Sequence, residues 1–300
     1  ASTSQSNNTV TLNEQTAPAI TGTTVASNNA SIAVTFSEAV YNTSGGSGAL
    51  EASDFTLTLS GGTATLASAT PSSISSSSNT YTLGLSLSGT PNGSETITVV
   101  PSSSTAIYDA AGNAASTSQS NNTVTLNDKT APTLSSVSIA SNNSTSTLAA
   151  VGDNVTLTFT ASETISTPVV TFLSGGAAIT DTSVTYVNTS GNTWTAVYTT
   201  ESNDTTGSVT YSIAFSDSAG NAGTAVTSGT GSVTFDKTAP TLSSVGIASN
   251  NSTTTLAKAS NVVTLTFTAS ETIATPVVTF VSGGAAITDT SVTYVNTTGN

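Results

Sequence analysis

The chain has 300 residues, only 6% of them charged, and its 16 acidic residues against 3 basic ones give a formal net charge of −13. That balance excludes most nucleic-acid binding, which needs Lys and Arg to neutralise phosphates, and it disfavours attraction to anionic lipid. An ordinary soluble domain carries about 25% charged residues, so Ser, Thr, Asn, Gly and Ala must supply this surface instead.

The sequence contains no Cys, His or Met. This removes Cys/His zinc sites, Ser-His-Asp triads and Cys nucleophiles together, and an enzyme is not expected. Scattered carboxylates invite a hard cation, and Ca²⁺ prefers oxygen ligands. Val, Ile, Leu and Thr are abundant, which suits pleated, half-buried strands rather than disorder.

Internal repeats set the organisation. Residues 1–18 (ASTSQSNNTVTLNEQTAP) recur at 115–132 with two changes, Glu14/Asp128 and Gln15/Lys129, an offset of 115 − 1 = 114. TAPTLSSVSIASNNST at Thr130 recurs as TAPTLSSVGIASNNST at Thr238, an offset of 238 − 130 = 108. Solenoid periods run about 20–50 residues, whereas about 100 residues is one β-sandwich domain. We expect residues 1–15 to hold the last strand of a preceding repeat. Repeat 1 is expected over 16–127, repeat 2 over 128–235, and the N-terminal part of repeat 3 over 236–300. The partial units at both ends suggest a window onto a longer polymer.

In chain order, repeat 1 predicts strands at Ile32–Phe36, Phe55–Leu59, Tyr81–Leu87 and Thr96–Val100, with a long Asn42–Ser53 segment in place of a shorter turn. Repeat 2 opens with Leu134–Ile139. Val155, Leu157 and Phe159 then alternate with Thr156, Thr158 and Thr160, the period-two signature of a strand with one buried face. Pro168–Phe172 follows, then Val184 and Tyr186, Trp194 to Tyr198, Val209 to Phe215, and finally Val226 and Val233 to Phe235. No helical period occurs. About seven strands per 110 residues predict an all-β fold of tandem immunoglobulin-like sandwiches, joined by short linkers into a rod. Trp194 reads as core or strand-face packing, with ligand stacking as the other reading.

The carboxylates recur in register. An acidic residue precedes each Thr-Ala-Pro (Glu14, Asp128, Asp236). A Glu ends each second strand (Glu38, Glu163, Glu271), and an Asp starts the last hairpin of each complete repeat, Asp109 in DAAGN and Asp217 in DSAGN. In such a sandwich the start of the domain, the B–C loop and the F–G loop share one end. Glu14, Glu38 and Asp109 are therefore expected to converge, as are Asp128, Glu163 and Asp217. Asn113 and Asn221, four residues past the Asp, can add carbonyl oxygens. Ca²⁺ would take 6–8 such oxygens, at about 10⁻⁴–10⁻³ M in extracellular modules. The plainer reading is turn chemistry, with Asp capping its own backbone. Glu201 and Asp204 are placed to reach Asp236 at the next junction. Asp153, matched by Asn261, reads as solvated surface. Lys129 and Lys237 stand where repeat 1 has Gln15, which argues against an internal Lys–Asn cross-link. Pro18, Pro132 and Pro240 fix the start of a strand.

Two kinds of segment carry a resemblance over essentially the whole chain: DKTAPTLSSVSIASNNS with VTLTFTASETI and FSDSAGN, and FSEAVYNTSGGSGALEASDF with YDAAGN. They resemble bacterial Ig-like (BIg) repeats of giant surface adhesins, most closely SprB-type gliding and cell-surface adhesins of Bacteroidota. The resemblance implies secretion by the type 9 system, a place on the cell surface, and junction calcium sites at Asp128, Glu163 and Asp217. It departs where Glu14 stands for Asp. It also implies an O-glycosylation rule that Asp217-Ser218-Ala219 and Asp204-Thr205-Thr206 match.

The expected function is a structural stalk in a long extracellular adhesin filament, mediating attachment or gliding. Its expected partners are neighbouring repeats, with a surface or glycan ligand held elsewhere, and neither nucleic acid nor membrane insertion. A self-assembling sheath or surface layer is an alternative. A carbohydrate-binding module is another, disfavoured because aromatics make up 5% of the chain and sit mostly at alternating strand positions.

Overall fold

The computed structural model describes residues 12, 14–289 and 291–297. The strand expected within 1–15 lies mostly outside the described residues. The described chain is all-β apart from one short 3-10 turn, Ala52–Asp54, in the long loop of repeat 1.

Repeat 2 shows most clearly how alternation becomes architecture. In Asn154–Ala161, Val155, Leu157, Phe159 and Ala161 are buried while the residues between them face outward. The strand lies between Leu134–Ser141 and Thr193–Thr199, with Thr185–Ser190 at the far edge. The facing sheet runs Leu148–Ala149, Thr234–Phe235, Gly207–Ala214, Val169–Ser174, Ala177–Ala178. In immunoglobulin letters these are an A-B-E-D sheet and an A′-G-F-C-C′ sheet. Val155, Leu157, Phe159, Ala196, Tyr198, Ile213, Val233 and Phe235 close the core between them. Burying each large aliphatic or aromatic side chain is worth about 1.5–3 kcal/mol, which offsets the entropy of ordering a chain with few charges. On the outer face, Thr160 and Thr193 hydroxyls meet across the strands at 3.0 Å, as Thr35 and Thr80 do in repeat 1 at 2.9 Å. Such pairs contribute about 0.2–1 kcal/mol each and give the surface hydrogen bonding without charge.

Repeat 1 has an A-B-E-D sheet of Ile20–Val25, Ser31–Phe36, Thr80–Gly84 and Ile74–Ser77, facing a C-F-G sheet of Phe55–Ser60, Thr96–Pro101 and Thr123–Thr125. Its core, from Ile20 to Leu126, includes a cluster of Phe36, Phe55 and Tyr81, whose ring centroids are 5.9 to 6.3 Å apart. The expected strand Tyr81–Leu87 is two pieces. It breaks after Gly84, where Leu85 N–H turns to Ala30 O, and Leu87–Ser88 pairs instead with Thr65–Leu66. The long Asn42–Ser53 segment is anchored by buried Leu50 and by mutual backbone bonds between Tyr41 and Tyr108, 2.7 and 2.8 Å.

In repeat 3, Leu242–Ser249 and Val263–Ala269 pair in the register of their repeat 2 counterparts, and Val281–Ser282 pairs with Ala285–Ala286. Ile247 is 63% exposed where its counterpart Ile139 is 5% exposed. The difference is the facing sheet: no counterpart of its strands Gly207–Ala214 and Thr234–Phe235 falls within 236–297.

Candidate metal centre

Three loops build each site. In repeat 2 the linker carries Asp128, the B–C loop carries Glu163, and the F–G hairpin begins at Asp217. Backbone bonds hold these loops at one end of the sandwich. Ser162 N–H donates to Thr133 O at 2.8 Å, which ties the B–C loop to the linker. Ser166 N–H donates to Ser216 O at 2.9 Å, which ties it to the F–G hairpin. Repeat 1 repeats the first tie, with Ser37 N–H on Ala19 O at 2.8 Å.

The D-x-A-G-N hairpin owes its shape to its ends. Gly220 sits at φ 90° and Gly112 at φ 91°, in the left-handed region that favours glycine. Asn221 then lies back over Asp217, donating from its backbone N–H and from Nδ2 at 2.8 Å each. Asn113 does the same for Asp109 at 2.7 Å each, and its Nδ2 also reaches Glu14 Oε2 at 3.0 Å. Asp109 and Asp217 are buried. Burial pushes their carboxyls up, but the Asn donors and backbone N–H groups outweigh it and hold both below the usual range.

The expected convergence occurs. Glu14, Glu38 and Asp109 bring carboxylate oxygens within 4.8 Å of one another, and so do Asp128, Glu163 and Asp217. Burial, then the neighbouring aspartate and third acid, raise Glu38. Burial, then Asp128 and Asp217, raise Glu163. At such spacing each like-charge pair costs about 1–4 kcal/mol, according to how far water screens it. The donor set is hard and anionic, which suits Ca²⁺. When bound, a divalent cation would supply positive charge that cancels this repulsion. The chain's own contribution is to hold one carboxylate from each loop, with the Asn donors fixing the orientation of Asp109 and Asp217. Turn capping by the aspartates, the plainer reading, occurs in the same hairpins: Asp109 and Asp217 accept from the backbone N–H groups of Asn113 and Asn221. Asn113 and Asn221 present Nδ2, not oxygen, to the aspartates.

The second cluster lies where two repeats meet. Asp128, Glu163 and Asp217 line a cleft with Asn92, Gly93 and Ser94 from the E–F loop of repeat 1. Lys129 N–H and Thr130 Oγ1 both donate to Pro91 O, at 2.8 and 3.0 Å. Asp236 accepts from Thr238 N–H at 2.9 Å, and Glu271 has a buried Oε1 with no hydrogen-bond partner. Neither joins a three-carboxylate group among the described residues.

Several residues behave otherwise than expected. Glu201 and Asp204 turn to Thr180: Asp204 Oδ1 accepts from Thr180 N–H at 2.8 Å, and Glu201 Oε2 from its hydroxyl at 2.9 Å. The link to the following linker is instead Lys237 Nζ, on the carbonyls of Asp204 and Ser202 at 2.8 and 3.1 Å. Asp153 is not simply solvated surface. Its Oδ2 accepts from Asn143 Nδ2 and Ala150 N–H, and Asn261 Oδ1 does the same for Asn251 and Lys258. Trp194 packs partly buried against the core. Sequence reasoning missed Glu95, which is fully buried and accepts from Thr63, Ala64 and Asn92 N–H groups. A lone Glu between an Asn-Gly turn and an apolar strand was its only signal.

No family model matches the chain, and no curated protein matches it. Solved structures do. One is of titin domains Z1Z2 in complex with telethonin, at 15% identity, covering 75% of this chain and 98% of that one, with TM-score 0.21. Another is a chimeric titin Z1Z2 functionalised with a KLER exogenous peptide from decorin, at 16% identity, covering 75% and 99%, with TM-score 0.23. Likeness at these TM-scores carries no weight of its own. The strand order of the two complete sandwiches does, and it defines the class: the chain is a tandem of immunoglobulin-like β-sandwiches.

Proposed function

We propose that this chain is a stalk segment of a long extracellular adhesin filament on a bacterial cell surface, serving attachment or gliding, with Ca²⁺ stiffening the junctions between repeats. The observation that carries the reading is the recurrence of the same three-loop carboxylate cluster at the start of two successive sandwiches. A cation bridge between linker, B–C loop and F–G hairpin would fix the angle at which each sandwich leaves the preceding one. Low charge suits a long exposed structure that must not bind its surroundings along its length. The sequence resemblance to BIg adhesins supports the surface location and the partners: neighbouring repeats along the chain, with the ligand bound elsewhere.

Calorimetric titration of the metal-stripped chain with Ca²⁺ tests this. Saturable uptake in the 10⁻⁴–10⁻³ M range typical of extracellular modules, reduced by Asp217→Asn, is the expected result. Absence of uptake at millimolar Ca²⁺ removes the metal from the proposal.

A further inference from the structure

Asn92-Gly93 is the sole Asn-Gly step in the sequence, and it lies in the E–F loop of repeat 1 on the cleft shared with repeat 2. Three local features favour chemistry between these two residues. Gly93 has no side chain to shield its backbone nitrogen, and it sits at φ 77°. Its N–H donates to no acceptor among the described residues. Ser94 N–H donates to Asn92 Oδ1 at 3.1 Å, drawing electron density from the amide carbon Cγ. Asn92 N–H is held by both oxygens of buried Glu95, at 3.0 and 3.2 Å, which fixes the backbone on the other side of the reacting group.

We propose that Asn92 is a site of spontaneous modification, converting to aspartate and isoaspartate. Gly93 nitrogen loses its proton to water or hydroxide and bonds to Asn92 Cγ. The Cγ–Nδ2 bond breaks and the nitrogen leaves as ammonia, closing a succinimide ring. Water then opens the ring at either carbonyl. The net exchange is one water consumed and one ammonia released, with no redox change. The product places a further carboxylate on the cleft lined by Asp128, Glu163 and Asp217, and the isoaspartate form also lengthens the backbone there. The loop at the corresponding place in repeat 2 reads Ser202-Asn203-Asp204, so the change belongs to one junction and not the other.

The test is peptide mapping by mass spectrometry of the whole chain, aged in warm, mildly alkaline buffer, together with enzymatic methylation to count isoaspartate. The expected result is a shift from amide to acid mass in the peptide spanning 92–93, ahead of peptides carrying Asn143-Ser144 or Asn251-Ser252. Loss of the isoaspartate signal in Asn92→Gln, with the thermal unfolding of the chain unchanged, is the companion result. An Asn92 amide that outlasts those at Asn143 and Asn251 overturns the proposal. So does the absence of conversion over a period in which the urea-unfolded chain converts at that step. Neither readout depends on whether the junction binds a cation.

Discussion

Asn221 grips Asp217 twice, from its backbone N–H and from Nδ2, both at 2.8 Å. This fixes the buried carboxylate in place beside Glu163 and Asp128. Replacing Asn221 by Ala removes the side-chain donor and leaves part of a buried carboxylate unsatisfied, a cost of about 1–3 kcal/mol. Thermal unfolding of repeat 2 should fall accordingly, while repeat 1, where Asn113 does the same work, stays unchanged.

Glu163→Gln should reverse sign with the solution. Without divalent cation the change removes repulsion from two neighbouring aspartates, so repeat 2 is as stable as the parent or more so. In millimolar Ca²⁺ it forfeits a ligand, and the stabilisation that mass action provides shrinks. Melting curves in EDTA and in Ca²⁺ check this, and a variant that responds to Ca²⁺ like the parent contradicts it.

The pH dependence follows from the same groups. Glu38 and Glu163 are raised in the folded chain, burial first and like charge second. A raised carboxyl binds more protons folded than unfolded, so in EDTA these two groups add stability as pH falls from neutral towards the usual carboxylate range. Glu95 acts oppositely. Burial raises it, but its backbone donors hold it lowered overall, so its contribution is present near neutrality and is lost on further acidification. Stability in EDTA should therefore pass through a maximum on the acid side of neutral, and Glu38→Gln with Glu163→Gln should flatten the rise.

Asp153→Asn should change the stability of repeat 2 by no more than about 0.5 kcal/mol, the usual range for a harmless surface change. One oxygen makes both of its hydrogen bonds, and Asn261 makes the matching pair through Oδ1. Leu157→Ala, fully buried between Ile139 and Ala196 on neighbouring strands, should cost about 2–5 kcal/mol. Denaturant unfolding of the two variants side by side separates surface from core.

The strands of repeat 2 were legible because one face is apolar and the other threonine: Val155, Leu157 and Phe159 against Thr156, Thr158 and Thr160. The break in Tyr81–Leu87 was not, because Leu83, Gly84 and Leu85 are all buried and continuous apolar character hides a change of sheet. The two clusters were readable from recurrence alone, since three positions fixed in three loops must meet if the loops share an end. Local hydrogen bonding was harder to see. Asp153 looked dispensable because Asn replaces it, yet that substitution preserves the acceptor. Glu95 and Asp204 carry no repeat-wide pattern, so their burial depends on loops whose path the strand period does not encode.

Small-angle scattering of the chain in millimolar Ca²⁺ and then in EDTA bears most directly on cation-tied junctions. A longer, stiffer particle is expected with Ca²⁺, and a broader distance distribution once it is removed. Superimposable profiles in the two conditions would contradict it.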